Sequence, residues 1–487
     1  MIDKILYILK NKGVTIAIMA IVTLLCIYTS VHIQPTIGLA LGIIPFVCIF
    51  IFICIKNQYI ALIILALINY FIMGLGRYIN IPIPISVLFD IIFSFIVVTI
   101  LFRNLEHKDN FRNILNLYFA FMFVWFAYCC INVGNHTTGN IHFSAWLSNV
   151  RVISLYAIFT CIIISITSKK YQFIYYFLFL WGVLTLLAAA KGYCQKNYGF
   201  DNAEWAWVST RGASTHLIST GIRYFSFFTD AANYGCSMGF SMVVFALSFI
   251  YVKNNYLKLF YIIIAISSGY GLLISGTRAA LAVPIAGFCL FIFLCKNWKI
   301  SVTFTTILFL SLFLLIFTDI GNGNRLIRRM RSAFDTEDAS MNVRFENQKA
   351  LKAYMAEIPF GIGLGVDGEE VPPQNKYHFV ATCPPDSELV YIWIHLGQVG
   401  LIVYLVIQVI MYICACCILV FRVRNPEIRG PLTAMLCGTA GMLVASYANQ
   451  IYFQYPNGPL IYTCLTLVFL APYFDKQYSE KHGIQHT

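Results

Sequence analysis

The sequence predicts an all-α, polytopic integral membrane protein built as a bundle of about fourteen transmembrane helices. Three observations predict it. Hydrophobic residues make up 59% of the chain and charged residues only 11%, where a soluble protein carries roughly 25% charged residues. Apolar runs long enough to cross a bilayer core as helix recur from end to end. Lysine and arginine also fall on alternate connections between those runs, the pattern of charge that sets topology. The net charge of +12 is therefore read as topological, and no nucleic-acid partner is expected.

The expected spans are 14–32, 37–55, 59–73, 85–102, 114–132, 148–167, 174–190, 236–252, 259–275, 280–295, 300–318, 398–421, 430–448 and 459–474. The first has no small-residue cleavage pattern behind it and more spans follow, so it is read as a permanent helix. Lys4, Lys10 and Lys12 place the N-terminus inside. Alternation then puts Lys56, Arg103, Lys169, Lys253, Lys296 and Arg422 on the same side, as the positive-inside rule asks. Both termini are expected in the cytoplasm. The outer stretch "VGNHTTGNIHFSAW" carries no lysine or arginine.

Two outer segments are longer than a turn requires. The organisation is read as N-terminal helices over 1–190, a first extracytoplasmic loop over 191–235 and central helices over 236–318. A large, partly helical extracytoplasmic loop follows over 319–397, then C-terminal helices and a short tail over 398–487. Long connections of this kind carry function or disorder, and tryptophans, glycines and prolines argue against disorder. The apolar stretch 387–397 is read as a membrane-edge helix bent near Gly397 and Gly400, because another crossing there would turn "RVRNPEIR" outward. No internal repeat is visible, which weakens a repeat-built transporter. Most of the sixteen cysteines lie in apolar spans, where they act as small hydrophobes. Cys194 and Cys383 fall in the two outer loops and are either bridged or two unpaired thiols. No metal site is expected: "CACC" at 414–417 lacks partner ligands.

The chemistry is sought in arginines at the outer face. Arg278 interrupts two apolar runs in a short turn, where it either anchors helices at the interface or clamps an anion. Arg223 precedes the eighth span, and Arg344 shares a helix face with Gln348 and Leu351. The glycines of "GIGLG" are read as letting backbone approach a substrate closely. The cluster "RLIRRMR", including Arg328, is either a basic face meeting lipid headgroups or a steering element for an anionic lipid-linked substrate. Asp90, an acid inside the fourth span, either pairs with an arginine or touches an acceptor sugar.

Taken in order, "GIRYFSFF", "SGTRAALA", "NVRFENQKALKAYMAEIPFGIGLG" and "DSELVYIWIHLGQVGLIVYL" resemble the O-antigen ligase and polymerase superfamily, over roughly residues 220–421. The resemblance implies glycosyl transfer on the outer, periplasmic side of a bacterial cytoplasmic membrane. The donor would be a glycan on polyprenyl pyrophosphate, and the acceptor a glycan hydroxyl in a polymerase or lipid A core in a ligase. No cofactor or metal is implied. The family's pyrophosphate-binding arginines map onto Arg223, Arg278 and Arg344. Where ligases carry a His-Asn pair, this chain has Asp386 and Ser387, which favours a surface-polysaccharide polymerase over a ligase. Asp386, His378 and Glu388 remain candidates for the base that receives the acceptor's proton, and Asp386 also suits the N-cap of the helix that follows. A lipid-linked oligosaccharide flippase is the alternative from another class. It calls for basic residues in the middle of spans, which the sequence does not clearly show.

Overall fold

The computed structural model describes residues 28, 50–79, 85–105, 111, 113–139, 142–218, 221–334, 339–385 and 387–483. The expected spans 14–32 and 37–55 lie outside these, apart from Tyr28 and 50–55. Among the described residues, ten helices are long and apolar enough to cross a membrane. The fold is all-α, as expected. The strands among the described residues are two short antiparallel ones, Leu217–Ile218 and Gly221–Ile222.

Two expected spans take altered forms. The span 280–295 becomes Arg278–Leu294, a shorter apolar helix that opens with a 3-10 turn. The span 459–474 is broken into Asn457–Phe469 and Ala471–His482, bent by 55°. Pro472 lies in the first turn of the second piece, where its ring cannot continue the helix before it. That second piece is polar, and the Asp475 carboxylate accepts from the backbone N–H of Arg424 and Asn425 at 3.1 and 2.9 Å. The helices flanking the first outer loop also run further than expected. Phe173–Tyr198 and Ala231–Tyr251 narrow that loop to 199–230.

Helices in lipid gain nothing from burying apolar surface against each other, so association rests on close packing and hydrogen bonds. The centre of the bundle is built accordingly. Ala231–Tyr251 and Pro426–Ala445 are 72% and 78% buried, whereas Trp298–Phe317 is 0% buried and lies on the rim. At the centre, a Cβ on Gly441 would sit 2.3 Å from the Val283 carbonyl oxygen, so only glycine lets those two helices meet.

Loops expected on the same side meet one another, as alternation requires. At one end Arg103 donates to the Ile55 carbonyl at 2.9 Å and the Tyr473 hydroxyl to that of Lys169 at 3.1 Å. At the other end Arg77 donates to Ser226, Asn135 to Phe360 and Gln450 to Pro385. The large loop has its own small core of Leu351, Met355, Ile358, Ile362, Val380, Cys383 and Ile394. Its last part is the helix Glu388–Cys417, broken at Gly397 (φ 74°, ψ −175°). The expected bend is present at the expected glycine.

Candidate functional site

The loop 199–230 is folded so that it presents Arg223 to the turn that carries Arg278. Asp201 and Glu204 form a capping box that starts its first helical turn. Arg77, which the sequence reading passed over, then fixes the far end of the loop. Its guanidinium lies against the rings of Trp207 and Phe225, 4.5 and 4.2 Å from their centroids, and it donates to the carbonyls of Ser226, Phe228 and Thr229. Burial, the largest influence, pulls the Arg77 proton affinity down to about 10. Ser226 holds a positive φ of 51°, a strained state for a non-glycine residue. Its N–H bonds Gln195 at 2.8 Å and its hydroxyl the Ala188 carbonyl at 2.8 Å, which holds it there.

The residues of "SGTR" then have separate tasks. Ser275 turns its hydroxyl back to the Leu272 carbonyl. Gly276 ends the helix Asn255–Ser275 in the left-handed conformation, φ 58°, which glycine adopts without steric penalty. Thr277, buried, donates its hydroxyl to the Ala231 carbonyl at 3.0 Å and accepts from Arg223 Nη2 at 2.7 Å. Arg278 opens the following 3-10 turn and is half-buried. Arg223 Nη1 donates to the Thr215 carbonyl at 3.0 Å, and its Nε is buried with no partner. Burial lowers the Arg223 pKa, and the like charge of Arg278 adds to the effect while Asp230 opposes it. Two guanidinium groups are thus held close enough to feel each other.

A cavity of about 300 Å³ opens on this turn. Lys196, Arg223, Arg325 and Arg329 line it, together with Gly276, and among the described residues no carboxylate does. Arg325 and Arg329 come from the helix Arg325–Arg331, whose Arg329 Nε bonds the Gly276 carbonyl. Arg328, the member of that cluster singled out from the sequence, is exposed and does not line the cavity. Arg331 instead caps the end of Trp298–Phe317 through the carbonyls of Leu315 and Ile320.

The other sequence-derived residues take different places. Arg344 lies half-buried on the helix Ala339–Met355, outside the lining of this cavity. Asp386 falls outside the described residues, and the N-cap considered for it belongs to Ser387, whose hydroxyl accepts from Leu389 N–H at 3.2 Å. Glu388 is 1% exposed. Its carboxylate accepts from the backbone N–H of Tyr452 at 2.7 Å and of Ile451 at 3.3 Å, tying down the 446–456 loop. The His378 ring bonds the Val371 carbonyl at 2.7 Å through Nδ1. Asp90 pairs with Arg151 and accepts from the Tyr156 hydroxyl, which in turn meets Tyr455. Cys194 is exposed and Cys383 is buried in the loop core, and no disulfide joins the two.

The glycine run serves a purpose other than the one expected. A Cβ on Gly361 would lie 2.5 Å from Gly397 N, and one on Gly365 would lie 2.6 Å from Trp146 N. Ile362 and Gly363 donate to the carbonyls of Ile394 and His395 at 2.9 and 3.0 Å. Gly361 lets the chain approach the broken helix, and Gly365 lets it approach the helix Phe143–Val150.

His216 stands beside Arg223 and was not singled out from the sequence. Its ring stacks on Phe225 at 4.8 Å and its Nε2 is buried without a partner. Burial, reinforced by the charges of Arg223 and Arg77 and opposed by Asp230, lowers its pKa to about 4. The folded protein therefore resists protonation that the unfolded chain accepts near 6.5. Stability is highest above that pH and declines as pH falls towards 4. Between about pH 7 and about pH 5 the loss from this group is about 2 kcal/mol. Thermal unfolding of His216→Gln should lack that part of the acid slope; a slope equal to wild type would mean that other groups cause it.

Residues 262–405 match the family described as O-Antigen ligase. The matched segment contains Arg278, Arg344, the glycine run and the bend at Gly397, and leaves Arg223 outside. No curated protein matches the chain significantly. Over residues 262–405 this helical membrane protein is thus similar to the O-antigen ligase family.

Proposed function

We propose that the chain is a surface-polysaccharide polymerase, moving a glycan from polyprenyl pyrophosphate to a sugar hydroxyl at the outer face of the bacterial cytoplasmic membrane. The observation that carries this reading is Arg223 bonded to Thr277 within range of the Arg278 charge, beside a cavity lined by further cations and, among the described residues, no carboxylate. Breaking the anomeric C–O bond leaves its electron pair on a pyrophosphate oxygen. Fixed guanidinium groups in a partly dehydrated site stabilise that developing charge without having to reorganise. Arg223 is already oriented by Thr215 and Thr277, so little side-chain freedom is lost when the substrate arrives. Asp386 is the proposed proton acceptor, and the Asp-Ser sequence in place of the His-Asn pair favours polymerase over ligase. Metal ions have no assigned step.

Surface polysaccharide from a deletion strain, complemented with wild type or Arg278→Ala and resolved on a gel, tests the reading. A polymerase predicts a full ladder with wild type, and a collapse to single repeats on lipid A core with Arg278→Ala. Complete loss from the core, with long polymer left on the lipid carrier, would make the chain a ligase. A normal ladder with Arg278→Ala would overturn the arginine assignment and revive the flippase reading.

A further inference from the structure

Arg223 lines two cavities, and they differ in chemistry. On its other side lies a space of about 440 Å³ bounded by His216, Asn233, Pro385, Asn449, Gln450 and Gln454, among others. We infer that this second cavity holds the acceptor sugar, an assignment that rests on the glycosyl-transfer reading above.

The contrast between the two linings carries the inference. Among the described residues the first cavity offers four cations and no carboxylate, which suits an anion and ill suits a neutral sugar. The second offers the side-chain amides of Asn449, Gln450 and Gln454, while that of Asn233 is engaged by Asp230 and Asn457; amides carry donors and an acceptor, the complement of sugar hydroxyls that both give and take hydrogen bonds. Its acid, Asp230, is already engaged: its carboxylate accepts from Ala232 and Asn233 N–H at 2.7 and 2.9 Å, capping the helix Ala231–Tyr251. That helix N-terminus is therefore neutralised and not available as an anion site. His216, 1% exposed, brings a buried Nε2 without a partner to this wall, and Arg223 a buried Nε. Buried polar groups of this kind are usually satisfied, and a hydroxylated ligand supplies what they lack.

The amide wall is held in advance. Gln450 donates to the Pro385 carbonyl at 2.8 Å, and Glu388 accepts from the next two N–H groups. Tyr455 extends the same loop to Tyr156 and so to Asp90. Asp90 and Glu388 are positioning residues in this arrangement, acting on the loop. The transfer step balances across the divide at Arg223. The acceptor hydroxyl oxygen bonds to the anomeric carbon, and the bond from that carbon to the carrier phosphate breaks, leaving its electrons beside the first cavity. The hydroxyl proton passes to a general base.

The test uses the full chain in lipid nanodiscs and two probes, inorganic pyrophosphate and the repeat oligosaccharide freed from its carrier by mild acid. Asn449→Ala and Gln454→Ala are each expected to weaken oligosaccharide binding about tenfold, the worth of one good hydrogen bond, with pyrophosphate binding unchanged. Arg329→Ala should do the reverse. Unaltered oligosaccharide binding in both amide variants overturns the assignment, as does wild type binding pyrophosphate but no oligosaccharide. Wild type binding the oligosaccharide, with loss in the amide variants but no pyrophosphate binding, supports the sugar cavity and removes the phosphate reading of the other.

Discussion

Arg278→Lys is expected to lower the proposed glycan transfer at least about a hundredfold, a loss of about 3 kcal/mol of transition-state stabilisation. Charge is conserved in this substitution, so the loss isolates geometry. A guanidinium presents planar, paired donors that match two phosphate oxygens, whereas an ammonium is a compact point charge that cannot span them. Arg223→Lys should behave similarly for a reason visible in the fold. Arg223 uses one terminal nitrogen on the Thr215 carbonyl and the other on the Thr277 hydroxyl, and lysine cannot make both bonds in that fork. The check is initial rate at saturating donor, with thermal unfolding measured alongside. Full activity of both variants, at unchanged stability, would rule out a bidentate clamp.

Gly397→Ala lowers stability by about 3 kcal/mol or more, among the larger effects a single methyl can have. The backbone there, φ 74° and ψ −175°, is a region that residues with a Cβ avoid. The added carbon would also sit 2.1 Å from the Pro359 carbonyl oxygen and 2.4 Å from Gly361 N. Relief would require the glycine run to move away from the broken helix, breaking the bonds of Ile362 and Gly363 to Ile394 and His395. Gly134→Ala is the matched control, because nothing lies within 4 Å of its added carbon. Thermal midpoints in detergent should fall by several degrees for the first and stay put for the second. Equal midpoints would show that the break at Gly397 is not needed by the fold.

Much of the architecture was legible because hydropathy and positive charge are long-range regularities that survive in a single sequence. The twelve expected spans within the described residues all coincide with helices, and the bend at Gly397 was marked by glycines in an apolar run. The site was legible only where a local signal exists. Gly276-Thr277 punctuates two apolar runs and so exposed Arg278. The bond from Arg223 to Thr277 spans 54 residues and leaves no periodic trace. In "RLIRRMR" the residue types suggested a role, but the phase of so short a helix was not readable, and Arg325 and Arg329 line the cavity in place of Arg328. Arg77 and the amides of 449–454 lie in stretches that resemble ordinary helix ends and turns. The glycine run was recognised as a place of close approach, but what approaches is the protein's own backbone.

Donor turnover by the purified chain in nanodiscs is the deciding measurement, made on polyprenyl-pyrophosphate-linked repeat units before and after adding EDTA. Wild type should release polyprenyl pyrophosphate as the glycan lengthens, and Arg223→Lys and Arg278→Lys, at wild-type stability, should release almost none. Release that is undiminished in both variants, or that stops on adding EDTA to wild type, would contradict catalysis by this pair of arginines.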